Sequence, residues 1–191
     1  LKQQPHNALV AEQTEHDVHA ADASSIGWSS SGNDKWNIFS SLQSTARKSY
    51  YGSQCDPNAY GRTTDLVVVS GGQWTHLFDH CLFMPAEMVG GVEHNYNYLH
   101  DVTLGYDHDV LQRVNIFSGY LQNEWRTDRW GFLVGARLDK HSLIDHVIVS
   151  PRANLRYNPS RDLNLRLSYS TGFRSPQAYD EDFHVAVVGG D

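Results

Sequence analysis

From residue 116 to residue 174, apolar and polar side chains alternate almost without a break. Phe117, Leu121 and Trp125 alternate with Ser118, Tyr120, Gln122 and Glu124. Trp130, Phe132, Val134, Ala136 and Leu138 alternate with Gly131, Gly135, Arg137 and Asp139. Val147, Val149, Pro151, Ala153, Leu155 and Tyr157 oppose Ser150, Arg152, Asn154 and Arg156. Leu163, Leu165, Leu167, Tyr169 and Phe173 oppose Asn164, Arg166, Ser168 and Ser170. A period of two over four consecutive runs predicts four strands, each with one apolar face. Thr127-Asp128 and Asn158-Pro159-Ser160-Arg161-Asp162 interrupt the runs with turn-forming residues.

Upstream the pattern is weaker but of the same kind. Val18, Ala20, Ile26 and Trp28 share a parity, and Ser31-Gly32-Asn33-Asp34 is a hairpin signal. Trp36, Ile38, Ser40 and Leu42 open a second strand that runs to about Arg47. Residues 64–78 and 86–98 read as a third and a fourth strand, carried by Leu66, Val68, Trp74 and Phe78 and by Met88, Val92, Tyr96 and Tyr98. Residues 50–62 and 99–112 read as long polar loops, whereas 31–34, 79–85, 126–129 and 158–162 are short. The total is about eight strands in consecutive hairpins.

Periodicity alone leaves open which solvent the apolar faces meet. In a soluble β-sandwich they point into a core. In an outer-membrane barrel they face lipid and the polar parity faces a lumen. Runs of roughly 10–13 residues exceed the usual five or six of globular strands and suit tilted membrane strands of about 9–11. Trp125, Trp130, Tyr157, Tyr169 and Phe173 sit near strand ends, where interfacial girdles fall. Small residues on the polar parity, such as Gly131, Gly135 and Ser150, suit a wall pressed by another body. A one-residue slip would turn Arg137, Arg152, Arg156 and Arg166 toward lipid, at roughly 2–4 kcal/mol each near the midplane. The expected fold is therefore all-β, an antiparallel up-and-down transmembrane β-barrel.

Composition narrows the function classes. The chain has 191 residues, 40% of them hydrophobic, and no run of about 18 apolar residues that would make a transmembrane helix. A mean hydropathy of -0.50 is compatible with a barrel, in which only alternate residues are apolar. A formal charge of -7 without a basic stripe argues against a nucleic-acid partner. No nucleophile elbow, P-loop or dinucleotide fingerprint is present, so no enzymatic activity is expected. Cys55 and Cys81 flank the third strand, tens of ångströms apart, and read as two free cysteines. The 11 histidines form no zinc-type spacing. His16 and His19 fall on opposite faces of a strand, and Asp107-His108-Asp109 falls in a loop without a partner. No metal site and no cofactor are expected.

Four pieces carry a family resemblance. They are Tyr120-Leu121-Gln122-Asn123-Glu124-Trp125, Gly135-Ala136-Arg137-Leu138-Asp139, Ser150-Pro151-Arg152-Ala153-Asn154-Leu155-Arg156-Tyr157 and Asn164-Leu165-Arg166-Leu167-Ser168-Tyr169-Ser170-Thr171-Gly172-Phe173-Arg174-Ser175-Pro176. In order and spacing they resemble the mid-barrel of TonB-dependent outer-membrane receptors, most closely over residues 113–184. The resemblance implies a bacterial outer-membrane location, a barrel of roughly 22 strands with a plugged lumen, and drive from the TonB–ExbB–ExbD complex. It also implies uptake of a scarce metal chelate such as a ferric siderophore, cobalamin or haem. Nothing in the chain resembles the plug or the TonB box, so all 191 residues are expected to be barrel wall, an internal piece of a larger barrel.

Two sets of candidate site residues follow. Glu124, Arg137, Arg152 and Arg166 are expected in the lumen as a charged belt, either a static salt-bridge ladder or a grip on the plug or an anionic ligand. Tyr50, Tyr51, Tyr60 and Tyr106, in the long loops, are the candidate ligand contacts. Phe173-Arg174-Ser175-Pro176 with His184 downstream is similar to the box of haem receptors, with Ser in place of Ala and no companion box, which makes haem the less favoured cargo. Arg174 and His184 join the candidate ligand set on that ground. Two readings from other classes are a small complete outer-membrane barrel acting as adhesin or scaffold, and a soluble β-sandwich binding module.

Overall fold

The computed structural model of the chain describes residues 12–30, 32–52, 56–103 and 108–173. Eight strands follow in order: β1 (Glu12–Ser30), β2 (Asp34–Gly52), β3 (Tyr60–Cys81), β4 (Met84–Thr103), β5 (His108–Arg126), β6 (Trp130–His141), β7 (Ile148–Ser160) and β8 (Leu163–Ser170). They form one antiparallel sheet in the order β1-β2-β3-β4-β5-β6-β7-β8, each strand bonded to its neighbours in sequence. The two edges, β1 and β8, do not pair with each other, so these eight strands leave the sheet open.

The ladders fix which side chains share a face. Trp28, Trp36 and Trp74 stand side by side, followed across the sheet by Gly90, Leu121, Ala136 and Pro151. The next rung carries Ile26, Ile38, Gly72, Val92, Gly119, Leu138 and Val149. Among the described residues no second layer covers this face. Ile26, Val92 and Leu167 are 72%, 65% and 70% exposed. Ser49, Thr63, Val114, Ser118, Asp139 and His141 are buried on the opposite face, which carries most of the buried polar side chains and is the inner one. Tyr50, Ala86 and Asn123 are the described residues buried on the outward parity. A soluble sandwich would have sequestered Trp130, Val149 and Leu165 in a dry interior, yet they are 39%, 58% and 51% exposed. The sandwich reading is excluded.

Register also gives the tilt. The rung at the first short turn runs from Asp34 through His76, Met88, Asn123, Val134 and Ala153 to Tyr169. The last short turn opens after Ser160 and Leu163, about six residues below Tyr169. With the short turns at one height, about 20 Å of strand is gained over six strand spacings of about 4.8 Å, a tilt of about 35°. Membrane barrels tilt by about 35–45°. The same geometry brings Trp28, Trp36, Trp74, Trp125, Trp130 and Tyr157, which sit on three rungs, to within about 8 Å of one height. On β6, outward-facing Trp130 and Lys140 are about ten residues apart, roughly 27 Å along the membrane normal at this tilt. An apolar band about 25 Å tall fits between them.

The short and long ends alternate as expected, but the loops at the long end are smaller than the sequence suggests. β2 continues to Gly52 and β3 begins at Tyr60, so both ends of the expected loop of residues 50–62 are strand, with a 3-10 turn at Pro57–Ala59. The expected loop of residues 99–112 is mostly strand, since β4 runs to Thr103 and β5 starts at His108. The physical reason is the same in both places. Strands of 19 to 22 residues are about twice what the membrane needs. Above it both faces are wet, so the ladder persists after the hydrophobic period has vanished.

Candidate functional site

The inner face of β3 to β8 is the candidate site, because it is the surface that would meet a plug or a passing ligand. Its best-formed part lies where β4, β5 and β6 adjoin. Arg137 donates from Nε to Asp139 Oδ1 at 2.8 Å, and from Nη2 to Glu93 Oε1 and Ser118 Oγ, both at 2.8 Å. Ser118 Oγ in turn donates to Asp139 Oδ1 at 2.6 Å. The alternation that turns Arg137 and Asp139 inward on β6 does the same for Ser118 on β5 and Glu93 on β4, and register sets Glu93, Ser118 and Asp139 on one rung. Two carboxylates against one guanidinium leave this knot formally anionic. Its arginine already holds two carboxylates and a hydroxyl, so the knot is a structural tie rather than a free anion grip.

Beside it the wall is flattened. Tyr120 lies over Gly91 on the neighbouring strand and donates from its hydroxyl to Gln73 Oε1 at 2.9 Å. A Cβ at Gly91 would stand 2.5 Å from the Tyr120 ring, so only glycine admits this lying-down tyrosine. Phe39 lies over Gly71 in the same way.

The four residues expected to form a charged belt all face inward, but they occupy four different rungs. Glu124 faces Glu87 and Leu133, not an arginine. Arg137 finds its carboxylates in Glu93 and Asp139. Arg152 Nη2 donates to Gln122 Oε1. Arg166 donates to Asn164 Oδ1 at 2.8 Å and stands directly opposite Arg156. Arg126, Gly131, Arg156 and Arg166 share one rung. Glu93, Ser118 and the Arg126–Arg156–Arg166 rung escaped the sequence reading. Their inward parity was visible in it, but strand pairing was not.

Of the tyrosines, Tyr50 is 3% exposed on the outward parity, its ring packed on Tyr60 at 4.9 Å, so as placed it offers no contact surface. Tyr51 faces inward and donates to Glu15. Tyr60 opens β3 opposite Tyr50. Tyr106, Arg174 and His184 lie outside the described residues, as does Cys55, while Cys81 is a free thiol at the end of β3. His108 and Asp109 are in β5 rather than a loop, and both have partners: His108 meets Asp101 at 3.3 Å and Asp109 meets His100 at 3.0 Å. Among the described residues no group of three His, Cys, Asp or Glu side chains has the geometry of a metal site.

No curated protein and no solved structure matches the chain. One family model does, that of the TonB dependent receptor-like β-barrel, over residues 6–191. It is a family of outer-membrane receptors and transporters, coupled in general to a plug domain and to TonB. A match of that extent agrees with a single meander of outward-greasy, inward-polar strands at a barrel's tilt: the chain belongs to the TonB-dependent receptor-like β-barrel family.

Proposed function

We propose that this chain is wall of an outer-membrane receptor that takes up a scarce metal chelate, a ferric siderophore or cobalamin before haem, with TonB–ExbB–ExbD supplying the energy. The observation that carries the reading is the inner rung of Arg126, Arg156 and Arg166. Arg156 and Arg166 stand directly opposite each other, an arrangement that is destabilising for like charges, and with Arg126 across Gly131 the rung is best explained by an anionic partner. That partner is either a carboxylate-bearing face of the plug or the anionic chelate. Arg152, two inward rungs away past Asn154, lies on the same strip. The inward Tyr51, above the hydrocarbon, is the tyrosine best placed for a ligand entering from outside, and Tyr106, Arg174 and His184 remain candidate contacts on the resemblance alone.

The test is growth of a strain lacking the gene, under iron limitation with siderophores as the iron source and under cobalamin limitation. A defect under one condition, restored by the intact gene, names the cargo. Normal growth under both removes the two favoured cargoes, and growth on haem as sole iron source then decides the third.

A further inference from the structure

The outward face carries one feature that a plain lipid-facing wall does not require. A groove of about 650 Å³ crosses β3 to β6, floored by Gly72 and Gly119 and walled by Val92, Phe117, Leu138 and Val147. Both glycines are on the outward parity, and neither is there to admit a neighbour. A Cβ at Gly119 would meet nothing within 4 Å, and one at Gly72 only the Asn37 carbonyl oxygen at 3.8 Å. The space is open, where larger apolar side chains would have given a smooth wall. The four walls are about half exposed or more.

The position of the groove identifies its occupant. It lies toward the long-loop end, within about 15 Å below Lys140 along the membrane normal, which is the depth of the outer leaflet's acyl chains. Lys140 itself lines the upper rim. Its Nζ donates to the carbonyls of Ile144 at 2.7 Å and Asp145 at 2.8 Å, which hold the ammonium at the interface with one of its three donors left over. Arg113, also outward and about two rungs higher on β5, places its guanidinium over the Tyr98 ring at 5.7 Å. His94 stacks on Phe117 at 4.4 Å and completes the rim. The nearest outward carboxylate on these strands, Asp109, is engaged by His100. Open apolar space beneath a cationic rim is complementary to an amphiphile with an anionic head.

The geometry points to a specific site for a phosphorylated, multiply acylated lipid of the outer leaflet, its chains in the Gly72–Gly119 groove and its phosphate at Lys140 and Arg113. The inference rests on the outward face being the lipid face and is independent of the cargo carried. The test uses the full receptor, delipidated in detergent, with lipid A and its dephosphorylated form as probes and native mass spectrometry as readout. The expected result is retention of lipid A at least about tenfold tighter than the dephosphorylated form. Gly119→Leu, which fills the groove from a position where an added Cβ meets nothing within 4 Å, abolishes retention. Lys140→Gln with Arg113→Gln brings lipid A down to the dephosphorylated level. Gly119→Leu binding lipid A like the wild type, or phosphate making no difference to the wild type, overturns the site. Heat-modifiable migration of each variant checks folding, and if the leucine variant fails that check the charge pair decides alone. Growth on chelated iron or cobalamin is a separate readout, so failure here is distinguishable from a wrong cargo.

Discussion

Asn123 faces outward between Met88 and Val134, 9% exposed, and neither its amide nitrogen nor its amide oxygen has a partner among the described residues. An unsatisfied buried amide costs about 1–3 kcal/mol. Leucine has the same branched shape and number of heavy atoms, is bulkier, and suits the apolar neighbours, so Asn123→Leu is expected to stabilise the receptor by about 1–2 kcal/mol, read as a higher midpoint in guanidinium unfolding. Arg137 gives the opposite case. Its removal would strand Asp139, whose side chain is 9% exposed, and Glu93. Arg137 is itself partly exposed, so the cost is discounted to about 1–3 kcal/mol from the value for fully buried pairs. A double-mutant cycle of Arg137→Ala with Asp139→Ala measures it; additive effects would show that the tie contributes nothing. The inward placement of Arg137 was legible in the sequence, because parity alone decides face. Its partners were not, because Glu93 is 44 residues away and meets it only through the stagger of three strands.

At the scale of strands and turns, alternation gave the existence and order of all eight strands. It failed at their outer ends, where both faces are polar. Residues 99–103 and 108–112 pair as strand through His100–Asp109 and His108–Asp101, and a hydrophobic period cannot register a ladder held by such ties. The turn between β3 and β4 shows what composition concealed. Leu82 has a φ of 64°, with no glycine there to ease it, while Phe83 stacks on Trp125 at 5.5 Å and anchors the hairpin to its neighbours. A left-handed conformation costs a non-glycine residue about 1–2 kcal/mol. Leu82→Gly, at a side chain that is 78% exposed, therefore loses no packing and relieves that strain. Expected is a gain of up to about 1 kcal/mol, after subtraction of glycine's greater unfolded-state entropy, measured by thermal unfolding in micelles. A loss of stability would mean that the leucine is packed against something. Gly91→Ala tests the wall in the other direction. It must lift the Tyr120 ring and break its bond to Gln73, at a cost of about 1–3 kcal/mol.

For the molecule as a whole, one inversion governs everything else: the exposed face is the apolar one. Exposure alone cannot say whether that face meets water or hydrocarbon, but substitution can. Val134 and Val18 are 55% and 56% exposed on the same face. Val134 sits near the middle of the band between Trp130 and Lys140, whereas the tilt lifts Val18 to about the height of Lys140. If water bathed the face, Val134→Arg and Val18→Arg would both stay within about 0.5 kcal/mol of wild type. In a bilayer the first costs about 2–4 kcal/mol and the second about 0–1 kcal/mol. Unfolding of the receptor in lipid vesicles separates the outcomes. Two valines equally bare yet unequal in their tolerance of charge can differ only in depth, and depth has a meaning only if the sheet stands in a membrane at the tilt its register prescribes.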